Sequence, residues 1–319
     1  DLLRDVVGEA LALEEVSNGA QELNEDPVAQ REFKERYAAA KAKEELLIGS
    51  LIDQPEMSQW YWKAKRLDIA GKRELQKHLS AVLQEVYHAC PVIKNELINR
   101  DQPSAQANAA RHKLALAMLN HEEEPNLGFE KYPPEKAIYR AVLHHSQFHI
   151  RMAGGKWGFQ GPVSGKPTDD PCNFIHVWKR IDAFLDETEQ QAKSFIEINK
   201  ELLSPPYGIK AGVLPVLYLV AILANRQELA VYENRRYTPT LSTEQVERFL
   251  KRPDEFTVQR FRIAGLNHSI FQEYSKVLFG DTTPRDVLSL ARPIAQFIGA
   301  LPEYTQHTTQ GLSKHALAV

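Results

Sequence analysis

Two histidines four residues apart, His145 and His149, are followed by a cysteine and a histidine at the same spacing, Cys172 and His176. Together they supply the ligand types and the number that tetrahedral zinc takes. His145 closes a helical pattern while His149 falls in a strand-like run, so the spacing alone does not bring the two imidazoles together. The side chains stand either as zinc ligands of a self-contained helical enzyme or nuclease, or as ordinary packed and surface residues. A second candidate is Gly161-Pro162-Val163-Ser164-Gly165-Lys166-Pro167-Thr168. A phosphate-cradling loop needs four residues between its glycines and a hydroxyl directly after the lysine. Here the spacer is three residues, and Pro167 occupies the hydroxyl position without an amide hydrogen, so the segment reads as a polar loop. No Gly-x-Ser-x-Gly elbow, His-Glu-x-x-His or Gly-x-Gly-x-x-Gly occurs in the chain, and acid–base or nucleophilic catalysis has no anchoring motif. Cations beside aromatic residues make a third pattern: Arg151, Lys156 and Trp157 in one β-prone stretch, Arg235 and Arg236 before Tyr237 in another. Such groups at a hairpin tip suit contact with nucleic-acid phosphates.

Most of the elements that must position these residues are helices. Leu2, Leu3, Val6, Val7, Ala10, Leu11 and Leu13 recur near a 3.6 period over 1–16, and Pro27 opens a second helix to about Leu51. An aromatic knot, Trp60-Tyr61-Trp62, precedes Lys63, Lys65 and Arg66. Helices are predicted over 72–88, 104–120 with Ser104 as N-cap, and from Pro133-Pro134-Glu135 to about His145. Phe148–Arg151 and Lys156–Phe159 flank Gly154-Gly155 and read as a hairpin. A helix followed by a hairpin matches the tail of a winged-helix unit. Helix resumes near Ile175 and again near Phe195, until Ser204-Pro205-Pro206 stops it. Gly212–Ala224 is almost wholly apolar and must be buried, with Pro215 tolerable only in its first turn. Strand-like runs at 229–232 and 237–241 surround a turn at 233–236. Ser242 caps a short helix, Phe256–Phe261 alternates as a strand, and 267–279 and 285–300 read as helix. The sequence thus predicts a mostly α chain, a multi-helical array with two winged-helix-like units carrying small hairpins. Its expected segments are 1–58, 59–131, 132–172, 173–265 and 266–319. The candidate recognition helix 213–224 carries no charge, which marks it as core or protein interface.

The chain of 319 residues carries a net charge of −3, with 43% hydrophobic and 25% charged residues. This is globular usage, and the overall balance excludes a chain that wraps nucleic acid by charge alone. Residues 1–46 hold six basic against twelve acidic groups, while 47–120 hold ten basic against seven acidic, so the polarity reverses along the chain. Two cysteines, Cys90 and Cys172, cannot form a disulfide framework, and a cytoplasmic location is expected. The longest apolar run, Ala211–Ala224, falls short of the ~20 residues a membrane helix needs, so no membrane partner is expected. Residue 1 is Asp and the first methionine is Met57. The chain is therefore expected to be a processed product or a piece of a longer protein.

Several strings occur in a particular order: Asn95-Glu96-Leu97-Ile98-Asn99-Arg100, then Tyr132-Pro133-Pro134-Glu135 with Ala137-Ile138-Tyr139. Pro205-Pro206-Tyr207-Gly208-Ile209-Lys210 with Gly212-Val213-Leu214-Pro215 follows, and then Leu301-Pro302-Glu303-Tyr304-Thr305. Residues 60–319 resemble an internal helical and winged-helix region of very large bacterial P-loop ATPases of anti-phage defence islands, similar to the ATPase components of BREX-type systems. The resemblance implies a non-catalytic coupling region, with ATP and magnesium bound elsewhere in the parent protein and no cofactor in this segment. Its implied partners are other subunits of a defence complex and double-stranded DNA. A protein-only interaction scaffold is the further alternative. The shared strings are prolines that open helices and glycines that turn loops, so they assign no functional residue.

Overall fold

In a computed structural model, the chain is described at residues 2–19, 26–162, 170–262 and 287–302, and at the single positions 276, 304, 308 and 311. It is mostly helical with small antiparallel sheets, and it divides into two compact units, Asp1–Val86 and Tyr87–Val319. Apart from position 276, the predicted helix over 267–279 lies outside the described residues, as do positions 163–168 of the glycine-containing loop.

The first unit holds helices α1 (Leu2–Gly19) and α2 (Pro27–Asp53). Asp26 caps α2 by accepting from the amides of Val28 and Ala29, and Pro27 stands where no amide is needed. Val6, Ala10 and Ala40 are buried, and Glu9–Arg36 and Glu14–Lys41 ion pairs join the helices. The aromatic knot forms a hairpin, β1 (Trp60–Trp62) and β2 (Lys65–Leu67), ahead of helix α3 (Lys72–Val86). Its two-residue turn, Lys63-Ala64, is left-handed at both positions.

The second unit begins with α4 (Ala105–Asn120), capped by Ser104 Oγ on the Ala107 amide, and α5 (Pro134–Tyr139), which loosens into a π-turn over Arg140–His144. The predicted hairpin forms as β3 (His149–Arg151) and β4 (Trp157–Phe159), with Gly155 left-handed in the turn. Next come α6 (Ile175–Glu187), a 3₁₀ turn at Phe195–Ile198, α7 (Asn199–Leu203) and α8 (Leu214–Ala224). A three-stranded antiparallel sheet of order β6-β5-β7 follows, from β5 (Leu229–Glu233), β6 (Arg236–Thr238) and β7 (Phe256–Arg260). Helix α9 (Thr243–Lys251), with a Ser242–Gln245 capping box, lies between β6 and β7 in the chain, and α10 (Val287–Ala300) is the last described helix.

The hydrophobic cluster of this unit runs from Ile93 to Val258 and draws on segments the sequence had separated at 131/132 and 172/173. Every residue of α8 from Val216 to Leu223 is buried, as its lack of a polar face demands. Just before that helix, Gly212 lets the chain press against the 98–103 segment: its amide donates to Arg100 O at 2.9 Å, and its carbonyl accepts from Arg111 of α4 at 3.1 Å. A Cβ there would stand 2.9 Å from Arg100 O, too near for any side chain. Among the described residues no helix is long and apolar enough to cross a membrane.

Candidate nucleic-acid interface

The β5–β6 turn consists of Asn234 and Arg235, both left-handed (φ 48° and 66°). This mirror-image turn follows the right-handed twist of the strands it joins. Asn tolerates the conformation readily; an arginine does so at a cost of about 1–2 kcal/mol. Arg235 and Arg236 are exposed at this tip, and neither has a carboxylate partner among the described residues. Glu233 lies directly across from Arg236 in the ladder, yet it is claimed by α9. Arg248 grips it with Nε and with Nη2 at 3.0 Å, and Gln245 Nε2 donates to it at 2.9 Å. The hydrogen-bonded Arg248 guanidinium holds the Glu233 carboxyl below the usual carboxylate range. Helix α9 thereby leaves both tip arginines available. Tyr232 and Tyr237, paired across the strands with centroids 5.8 Å apart, form the wall behind them.

The first candidate hairpin is built differently. Lys156 Nζ donates to both oxygens of Glu123, at 2.9 and 2.7 Å, so its charge is matched. Arg151 is exposed, but its Nε donates to Gly155 O at 3.1 Å and braces the turn. Trp157 is half-buried against His149, with centroids 5.3 Å apart. These three residues do share one hairpin, and there they mainly hold its shape.

The structure does not assemble the zinc set His145, His149, Cys172 and His176. Among the described residues no group of three or more His, Cys, Asp or Glu side chains is placed to hold a metal ion. His149 is fully buried, and both its ring nitrogens are engaged. Nε2 lies 2.7 Å from Glu122 O, which can only accept, so Nε2 carries the proton and Nδ1 accepts from Tyr139 Oη at 3.0 Å. Burial pushes the His149 pKa down and that of Tyr139 up to about 12. His145 is exposed beside His144, His176 is exposed beside His88 with centroids 6.4 Å apart, and Cys172 is buried with its thiol pKa raised by that burial.

A buried arginine had no counterpart in the sequence reading. Arg260 is 2% exposed, with Nη2 2.7 Å from Asp182 Oδ1, Nη1 2.6 Å from Asp186 Oδ1 and Nη2 3.0 Å from Asn225 Oδ1. It ties β7 to α6 and to the C-terminus of α8. The strand alternation of 256–260 carried the signal, because it places position 260 on the inward face with Phe256 and Val258. A cavity of about 220 Å³ lies beside Leu119, Ile222, Leu223, Leu241 and Arg226; the Glu122–Arg226 ion pair on its wall cancels its own charge. Comparison of the chain with protein-family models, curated proteins and solved structures finds no match in any of the three.

Proposed function

We propose that this polypeptide is a non-catalytic coupling region of a larger, cytoplasmic, nucleotide-driven defence protein, and that its β5–β6 hairpin serves as a wing touching double-stranded DNA. The observation that carries the reading is the pair of exposed arginines, Arg235 and Arg236, with Glu233, the acid across the ladder from Arg236, bound by Arg248 and Gln245. Two cations held at a rigid tip without a matching anion are suited to phosphate, which draws its affinity from counterion release. The hairpins after α5 and α8 are the winged-helix-like elements of this reading, with the DNA role resting on the second. ATP and magnesium belong to the parent protein's own motor module, in keeping with the resemblance of residues 60–319. Contact with partner subunits falls to the first unit, where Leu11, Leu46 and Ile52 are exposed on helices.

Duplex binding by fluorescence anisotropy, titrated against salt, tests this reading. Arg235→Ala with Arg236→Ala is expected to weaken binding and to lower the slope of log K against log salt by about two. Unchanged affinity and slope would remove the wing from the account, and duplex binding absent from the wild-type chain would leave the protein-only scaffold.

A further inference from the structure

The β1–β2 hairpin repeats the tip geometry of β5–β6 in the other unit: a two-residue turn, both positions left-handed without glycine, with Lys63 (φ 49°) in the place of Asn234 and Ala64 (φ 63°) in that of Arg235. One face of this hairpin is anchored. Trp60 Nε1 donates to Pro55 O at 2.9 Å, Trp62 Nε1 donates to Glu85 at 3.1 Å, and Lys63 pairs with the same carboxylate. Alternation turns Tyr61 to the opposite face, where it is 58% exposed, and the register sets Arg66 directly across from it. The Trp62–Lys65 pair closes the turn, so Tyr61–Arg66 is the pair with the closest side chains, at about 4.5 Å between Cα atoms. Arg66 and Lys65 are exposed and without a carboxylate partner among the described residues; Asp68, the next acid along, makes no ion pair with either. The eight residues from Trp60 to Leu67 contain three cations and no acid.

A flat aromatic ring held out from a braced hairpin, with an unneutralised guanidinium beside it, has the chemistry of a base-stacking platform. We propose that this hairpin docks single-stranded nucleic acid, an unstacked base lying on Tyr61 with a neighbouring phosphate at Arg66. Lys65, paired across from Trp62 on the anchored face, adds only longer-range attraction for the phosphates. Base stacking is indifferent to sequence because every base has a π face. The proposed occupant differs from the duplex assigned to Arg235 and Arg236, and the two contacts are separable by experiment.

The test uses the whole chain and a fluorescein-labelled oligo(dT) of roughly 12 nucleotides, within the span of known single-strand sites. Tyr61→Ala and Arg66→Ala are each expected to weaken binding about tenfold. Tyr61→Phe should bind as the wild type does, while Tyr61→Leu should lose affinity like alanine, because leucine keeps apolar bulk without a π face. Tyr61 lies on the solvent face, so the Trp60 and Trp62 emission should be unchanged in every variant, reporting an intact hairpin. Single-strand docking is ruled out if the wild-type chain does not bind oligo(dT), or if Tyr61→Ala binds it equally well. Binding that Tyr61→Leu preserves also rules it out and marks the face as an apolar protein contact. The Arg235→Ala, Arg236→Ala variant, run in parallel, should bind oligo(dT) normally while losing duplex, so failure of one contact is distinguishable from failure of the other.

Discussion

At the scale of single residues, the decisive question for each cation is which carboxylate reaches it first. Lys156 is matched by Glu123, thirty-three positions away, whereas Arg235 and Arg236 stay free because α9 takes Glu233. The cations themselves were legible in the sequence; their neutralisation was not, since it depends on acids brought in by the fold. The four would-be zinc ligands fail for the same reason. Their types and spacings suit the metal, but burial commits His149 to Tyr139 and Glu122. That commitment has a pH signature. The folded His149 pKa lies below its ordinary value, so under acid the unfolded chain takes up this proton more readily than the folded one. Its contribution to stability is complete above about pH 6.5 and is lost as the pH falls below that value. Thermal melts between neutral and mildly acidic pH are expected to show a falling midpoint, and His149→Gln should flatten that fall. A variant with an unaltered pH profile would refute the assignment.

At the scale of elements, helices and caps were the readable part. Ser104, Ser242 and Pro27 mark starts that the backbone then uses, because their side chains or ring satisfy or remove orphan amides. The hairpin around Gly154-Gly155 was readable from its turn. The hairpin at Trp60–Leu67 was not: Lys63-Ala64 adopts a left-handed turn without the Asn-Gly or Asp-Gly chemistry that announces one. The π-turn after α5 likewise has no sequence signal. Arg260 is the element-scale lesson, because an arginine on the inward face of a strand obliges neighbouring elements to supply acids. Arg260→Met is expected to cost about 3 kcal/mol in urea unfolding, the lower end for breaking a buried ion pair. The low end applies because Asp182, Asp186 and Glu228 are each nearly half exposed and regain water when the arginine goes. Asp182→Asn should cost clearly less, since Asp186 remains.

At the scale of the whole molecule, the two units differ in how much they bury. Between them, α1, α2, α3 and the β1–β2 hairpin enclose little more than Val6, Ala10, Ala40, Ile69 and Leu75, while the second unit holds a cluster running from Ile93 to Val258. Local opening costs least where few apolar contacts must break. Native-state hydrogen exchange is therefore expected to label α1 and α2 amides orders of magnitude faster than those of α8. Equal protection in the two helices of the first unit and in α8 would contradict this. The mostly helical class was legible because 3.6-residue periodicity survives in single helices. The sharing of one core by residues from three expected segments was not, since no local pattern records which distant faces meet. A last consequence concerns synthesis. Helix α8 is greasy on every side, and the α4 and β4 segments that pack on it are encoded before it. The ribosome therefore delivers this oily rod to a nascent polypeptide that already carries part of its cover, and a truncation that removes α4 from the front of the chain leaves a product fated to precipitate.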